Sequence, residues 1–503
     1  MASSVYIHIP FCKKICSYCD FCKFIYNEKW VYAYLKTLKA EIKDRYMGDE
    51  IKTIYIGGGT PSSLAFHEIK SLLEMTKVFN MRNLLEFTFE CNLEDINEQL
   101  LLLLKSYGVN RLSIGIESFD ENKLKFMERK ADFKDAEAKI KLCRKLGFNN
   151  INLDLMYAIP GETLKVLKKD LNLFLKLEPE HISTYSLILE EHTKAYVNKI
   201  TVMEEELDYE MYKYIENKLS GSHHYEVSNF AKKGFESIHN LVYWNNEEYY
   251  GFGLGASGYL DKIRYTNTKT LKNYLLGNYV EDREIIGEKE NMDYEIMLGL
   301  RKIDGINLTD FKNKFGKKLE EVYNVKPLLK SKELIKKKDY IFINPIYIYI
   351  MNEILLKIIW YFLSTLSMGS DSVLLDLKIL NGNMFLKFDK YVNNYTVNVA
   401  SDVDTLEIEY KIRDTDEIKI VNNEILNYGL NYVFLEVTSE EEKNVYTLEV
   451  YKEKIENVMK YEDVLVAKSD KEANENMPYI ISFVCLVVIL FFFVVIFHRK
   501  KSK

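Results

Sequence analysis

The first 260 residues predict an α/β domain, an open and partial (β/α)6 barrel. Two observations carry this. Short apolar runs alternate with longer amphipathic stretches, and four of the seven cysteines lie between Cys12 and Cys22, directly after the first run. Behind the barrel, the sequence predicts a small helical module, then an all-β sandwich, then a transmembrane helix.

The strand candidates are Ser4–Ile9, Thr53–Ile56, Leu85–Glu90, Arg111–Ile116, Ile151–Met156 and His181–Leu187. Between them lie helix-length segments: Glu28–Tyr46, Ala65–Val78, Asn97–Tyr107, Phe133–Leu146 and Leu164–Lys176. Strands that alternate with helices build parallel sheets, whose functional groups gather at the C-terminal strand ends.

Residues 261–358 read as the helical module, on the pattern of Met292–Ile306 and the Lys-rich stretch after it. Residues 359–369 read as an apolar junction. From 370 to 452, six short alternating runs (Leu375–Leu380, Tyr395–Val399, Leu406–Tyr410, Ile418–Val421, Tyr432–Val437 and Val445–Tyr451) predict the sandwich. Residues 453–476 read as a polar linker. Tyr479–Phe497 carries no charge and as a helix would run about 28 Å, close to a bilayer core. The basic tail 498–503 would then face the cytoplasm. Ile346–Met368 is a weaker second candidate span because it contains Glu353 and Lys357. The expected arrangement is cytoplasmic for residues 1–345, with the C-terminal part membrane-anchored and the sandwich outside.

Charge divides the chain in the same way. Its formal net charge is −7, which argues against nucleic acid as a partner. Residues 370–476 hold 12 Lys and Arg against 23 Asp and Glu. Their acidity reads as a solvated face, since no EF-hand spacing is present. The sparse, clustered cysteines point to a metal or cluster site in a reducing compartment, and the N-terminus shows no secretory signal.

The chemistry concentrates in PFCKKICSYCDFC. Cys12, Cys16 and Cys19 are spaced to hold three irons of a [4Fe–4S] cube, leaving the fourth open. Zinc is the competing reading, with Cys22 closing the site. One α/β unit later, YIGGGTPS (Tyr55–Ser62) lets the backbone approach a ligand at a helix start.

The CxxxCxxC loop after a first strand resembles the radical S-adenosylmethionine (radical SAM) superfamily. FECN, GVNRLSIGIESFDENKLKFMER, NLDLMYAIPGET, YEVSNFA, HNLVYW and GFGLGASGY follow in order. Together they resemble the HemW heme-chaperone family, related to the oxygen-independent coproporphyrinogen III oxidases, over residues 1–358.

The resemblance implies a [4Fe–4S] cluster, S-adenosylmethionine and heme as cofactors. It implies heme-accepting proteins and an electron donor such as flavodoxin or ferredoxin as partners. It places Tyr6 near the cluster, and Gly59 and Thr60 on the methionine moiety of the nucleotide. Glu90, Glu117, Arg129 and Asp154 fall where relatives contact its amine, ribose and carboxylate. Glu117 departs from the usual Gln, and Lys130-Ala131 departs from the usual apolar–His pair. In HNLVYW, His239 is placed as an iron ligand, with Tyr243 and Trp244 stacking on the macrocycle. The sandwich resembles cadherin-like domains of bacterial surface proteins.

The first reading is therefore a heme-binding and transfer protein. An anaerobic coproporphyrinogen III oxidase is the alternative. A surface adhesion protein with a degenerate front is the third. The short segment before Cys12 and the CxxC at Cys19–Cys22 favour the chaperone branch.

Overall fold

The computed structural model describes residues 2–190, 193–366 and 374–452, apart from the short stretches 385–387, 389–393, 428 and 440–442. Two compact units divide the described chain. The first holds residues up to 318 together with 328–355, and the second holds 319–327 and the residues from 356 onward.

The first unit is built on β1 (Ser4–Ile9), β2 (Thr53–Gly58), β3 (Glu86–Asn92), β4 (Arg111–Glu117), β5 (Ile151–Tyr157) and β6 (His181–Ser186). All six lie side by side in chain order and pair in parallel. Along the strands the side chains alternate, up to the register shift between Gly115 and Glu117 at the end of β4. Val5, Ile7, Ile54, Ile56, Phe87, Phe89, Leu112, Ile114, Leu153 and Leu155 are buried on one face. The opposite parity carries Tyr6, Tyr55, Thr88, Glu90, Arg111, Ser113, Asn152 and Asp154. The sheet thus has an apolar face for the helices and a polar interior.

The connecting helices include α1 (Glu28–Arg45), α2 (Phe66–Met75), α3 (Glu98–Ser106), α4 (Glu121–Met127), α5 (Phe133–Lys145) and α6 (Leu164–Lys176). Asn27, Asn97, Asp120, Asp132 and Thr163 cap α1, α3, α4, α5 and α6 by accepting backbone N–H groups with their side chains.

Three further strands extend the sheet beyond the six expected. Tyr250–Phe252 pairs in parallel with β1, and an antiparallel hairpin of His223–Glu226 and Asn229–Ala231 extends the β6 edge. The helix Ile238–Trp244 lies against the opening strand ends. Its N-terminal N–H groups at Ile238 and His239 donate to Glu86, the first residue of β3.

The expected helical module is corrected to a mixed one. It contains two three-stranded sheets, Ser257–Leu260 with Ile263–Asn267 and Val280–Ile285, and Ile306–Asn307 with Leu334–Lys337 and Tyr340–Ile343. The Lys-rich stretch forms a hairpin because Lys338 turns the chain at φ 53°.

The second unit contains a five-stranded sheet and a two-stranded sheet. Strands overlapping all six expected runs are present. Leu377, Tyr395, Val397, Val433, Leu435, Tyr446, Leu448 and Val450 form their shared buried core.

The membrane arrangement is corrected. Among the described residues, no helix is long and apolar enough to cross a membrane. The weaker candidate span forms a 3-10 turn, Pro345–Ile350, and a 16-residue helix, Met351–Leu366. In the first unit its Tyr349 ring packs on Tyr209 and Tyr212. The stronger candidate, Tyr479–Phe497, lies outside the described residues.

Candidate functional site

The site lies at the C-terminal ends of β1 to β5. After β1 the chain enters the cysteine loop, which is pinched at its base. Phe24 N donates to Pro10 O at 2.6 Å, and Tyr26 N donates to Cys12 O at 2.8 Å. The loop's second half is held by Ser17, whose hydroxyl donates to Phe126 O at 2.6 Å. Cys12 is buried, Cys16 and Cys19 are half-buried, and all three are free thiols.

The glycine turn after β2 packs directly on this loop. Gly59 N donates to Ile9 O and Thr60 N to Phe11 O, at 2.8 and 2.9 Å. A Cβ on Gly59 would stand 3.0 Å from Cys12 Sγ and 3.0 Å from Phe11 N, so any side chain here would force these neighbours to shift by a few tenths of an ångström. Gly58, at φ +117°, accommodates the His8 ring, which a Cβ would meet at 2.6 Å.

Two of the thiols are joined by a polar chain. Thr60 Oγ1 donates to Cys12 Sγ at 3.6 Å, and Asn92 Nδ2 donates to Thr60 Oγ1 at 3.4 Å. Arg129 Nη2 donates to Asn92 Oδ1 at 3.0 Å and to Gly115 O at 2.7 Å. Arg129 Nη1 reaches Cys16 Sγ at 3.8 Å. Burial pushes the Cys12 thiol up to about 11 and raises Cys16 and Cys19 as well, with Arg129 opposing the shift at Cys16.

Carboxylates gather inside the same mouth. Tyr55 O–H donates to Glu90 at 2.7 Å, and Gly58 N donates to its other oxygen at 3.0 Å. Burial pushes Glu90 up to about 7. Asp154 accepts from Asn152 Nδ2 at 2.8 Å and is also raised by burial. Glu117 sits at the end of β4 with φ 70°, a left-handed conformation that costs a non-glycine residue about 1–2 kcal/mol. The turn brings its carboxylate within 3.6 Å of Arg129. Burial raises Glu117, and Arg129 opposes that rise.

Tyr6 O–H donates to His8 Nδ1 at 2.8 Å, while His8 Nε2 donates to the Cys22 carbonyl at 2.8 Å. Cys22 Sγ sits 3.9 Å from Lys269 O, and its Cβ and Sγ pack on Gly255.

The sequence-predicted residues therefore divide into two groups. Cys12, Cys16, Gly59, Thr60 and Arg129 are joined by direct contacts beside Glu117, while Tyr6, Glu90 and Asp154 line the same polar interior. His239, Tyr243 and Trp244 are not presented as a ligand set. His239 is 1% exposed, and both ring nitrogens are engaged. Thr53 Oγ1 already donates to Ser4, so His239 Nδ1–H donates to Thr53 at 2.8 Å. Its Nε2 accepts from Tyr243 O–H at 2.7 Å. Iron ligation through His239 would require breaking this buried pairing. Trp244 packs under Arg301, at 4.9 Å from its ring centroid.

The sequence reading missed Asn92, although it lies within FECN, as well as Tyr55 and Arg111. Their signal was parity: each shares the inward face with an expected ligand-binding residue.

The donor set fits an iron–sulfur cluster. Three thiols lie on one anchored loop, with a glycine cradle against Cys12.

Comparison with known proteins gives two family matches. The Radical SAM superfamily matches residues 6–174, and the HemN C-terminal domain matches residues 287–343. The heme chaperone HemW of Lactococcus lactis subsp. lactis is 39% identical over 356 residues, covering 67% of this chain and 93% of that protein. The heme chaperone HemW of Bacillus subtilis is 40% identical over 336 residues, covering 64% and 89%. Among solved structures, the radical SAM coproporphyrinogen III oxidase HemN from Escherichia coli has a TM-score of 0.63 at 20% identity. It covers 70% of this chain and 89% of that one. That likeness shows the fold.

Proposed function

The chain belongs to the HemW family of heme chaperones, and from that premise we propose that it binds heme and delivers it to acceptor proteins. The observation that carries the reading is the similarity, over about nine-tenths of their length, to relatives that are named heme chaperones. The coproporphyrinogen oxidase reading rests on a shared fold at 20% identity and on the HemN C-terminal domain match.

In this reading Cys12, Cys16 and Cys19 hold a [4Fe–4S] cluster. When bound, that cluster supplies an open iron corner for the amino and carboxylate groups of S-adenosylmethionine, and a route for an electron from a donor protein. Gly59 and Thr60 give the nucleotide a close backbone approach. Glu90 and Asp154 offer acceptors for its amino N–H groups and ribose hydroxyls, and Arg129 offers a fork for its carboxylate. Arg129 also stands against Cys16, so it ties the nucleotide's place to the cluster's. The Tyr6 and Tyr55 rings lie beside one another on the same inward face, 6.0 Å between centroids.

Heme titration of the purified, anaerobically reconstituted chain tests the function. The expected result is stoichiometric heme binding, transfer to a heme-free acceptor, and no vinyl product from coproporphyrinogen III under reducing conditions. Conversion of coproporphyrinogen III to protoporphyrinogen IX would overturn it.

A further inference from the structure

Arg111 opens β4 and points into the polar interior of the barrel. It is 2% exposed. Its Nη1 makes a long contact, 3.5 Å, to Thr88 Oγ1, and its Nε has no partner. Arg111 forms no ion pair with a carboxylate among the described residues. A buried cation without a direct partner is costly, so its place needs a reason.

The register supplies one. Arg111 pairs with Thr88, while Glu90 pairs with Ser113, so the guanidinium sits one layer beneath the Glu90 carboxylate. Asn152 Nδ2 bridges Ser113 Oγ and Asp154 Oδ1, both at 2.8 Å, which puts Asp154 on the same side. We infer that Arg111 is a positioning residue: from one layer beneath, it holds the Glu90 and Asp154 carboxylates as acceptors for the amino end of bound S-adenosylmethionine, without touching that ligand. This rests on the nucleotide reading above.

The surrounding groups fit that role. Tyr6, Tyr55 and Tyr243 face Glu90 from β1, β2 and the helix Ile238–Trp244, and each is kept neutral by burial. Asp154 itself opposes the ionisation of Glu90. Glu117 acts against both carboxylates, and Tyr185 faces Asp154 as a neutral phenol. Arg129 favours the ionised form of Asp154 from above, whereas Arg111 favours ionisation of both from below. His181 and His239, also near Arg111, are held neutral by burial and by the guanidinium. Arg111 thus acts on Glu90 from within the barrel floor.

The test is S-adenosylmethionine binding to the reconstituted full chain between pH 6 and 9, in wild type, Arg111→Lys, Arg111→Met and Arg111→Gln. Wild-type affinity should rise with pH as the carboxylates ionise. In Arg111→Met the profile should shift alkaline by about one pH unit, giving about fivefold weaker binding at pH 7 and convergence near pH 9. Arg111→Lys should keep the wild-type profile. A loss of affinity equal at every pH, or no loss, would overturn the inference. If the wild type does not bind the nucleotide, the ligand reading fails, and unfolding of the apo chain still decides on Arg111. Arg111→Gln should lose more stability at pH 8 than at pH 5.5, because the carboxylates are charged only at the higher pH. An equal loss at both would overturn the positioning role.

Discussion

Gly59 lies against Cys12 so closely that a methyl group on it would stand 3.0 Å from the thiol sulfur. Neither neighbour can retreat freely. The loop backbone at Ile9 and Phe11 is pinned by hydrogen bonds to Gly59 and Thr60 themselves. The glycine turn and the first cysteine therefore form one rigid piece, and the nucleotide's proposed place is fixed relative to the cluster's.

Gly59→Ala should consequently push Cys12 out of register. Iron and sulfide content after anaerobic reconstitution should fall by at least half, while the far-ultraviolet circular dichroism stays unchanged. Full cluster content would show that the loop can give way.

Lys123 offers a test of how the mouth is held. It is 3% exposed and pairs with Glu162 at 2.7 Å and Asp170 at 3.0 Å. Asp170 in turn accepts Phe119 N at 2.7 Å, just after Glu117 and Ser118. Lys123→Met leaves two buried carboxylates without their cation, which costs about 3–5 kcal/mol. Denaturant unfolding should show a loss of that size. A change under 1 kcal/mol would mean that water reaches the pair.

His239 carries a pH prediction. Burial, aided by Arg111, lowers it to about 3, below its unfolded value of 6.5. A group with a depressed native value contributes stability that is complete above the unfolded value and is lost as pH falls. Between pH 6.5 and 5 that loss reaches about 2 kcal/mol. His239→Gln should remove this part of the slope and leave the visible spectrum of bound heme unchanged. An altered heme spectrum would show that the ring leaves Thr53 and Tyr243 to meet iron.

Much of this was legible because parallel strands buried on one face alternate cleanly. Val5, Ile7 and Ile9 announce β1, and the cysteines fall where the strand must end. The edge strand Tyr250–Phe252 was hidden because three residues carry no period. The hairpin Leu334–Ile343 was hidden because the Lys side chains exposed on it look like a solvated helix face. The cysteine and glycine turns were readable as chemistry. Arg111 was not, since a charged residue at a strand start reads as a boundary until the strand's parity is known. His239 shows the opposite limit. An imidazole in an aromatic motif looks like a ligand, and only the structure shows that both nitrogens are already engaged.

The central claim is a cluster on three thiols with one iron left for the nucleotide. Electron paramagnetic resonance of the reduced, anaerobically reconstituted chain tests it, before and after addition of S-adenosylmethionine. The account predicts a [4Fe–4S] signal that changes on nucleotide addition, survives Cys22→Ser, and disappears in Cys12→Ser, Cys16→Ser and Cys19→Ser. A signal that ignores the nucleotide, or one that vanishes in Cys22→Ser, would contradict it.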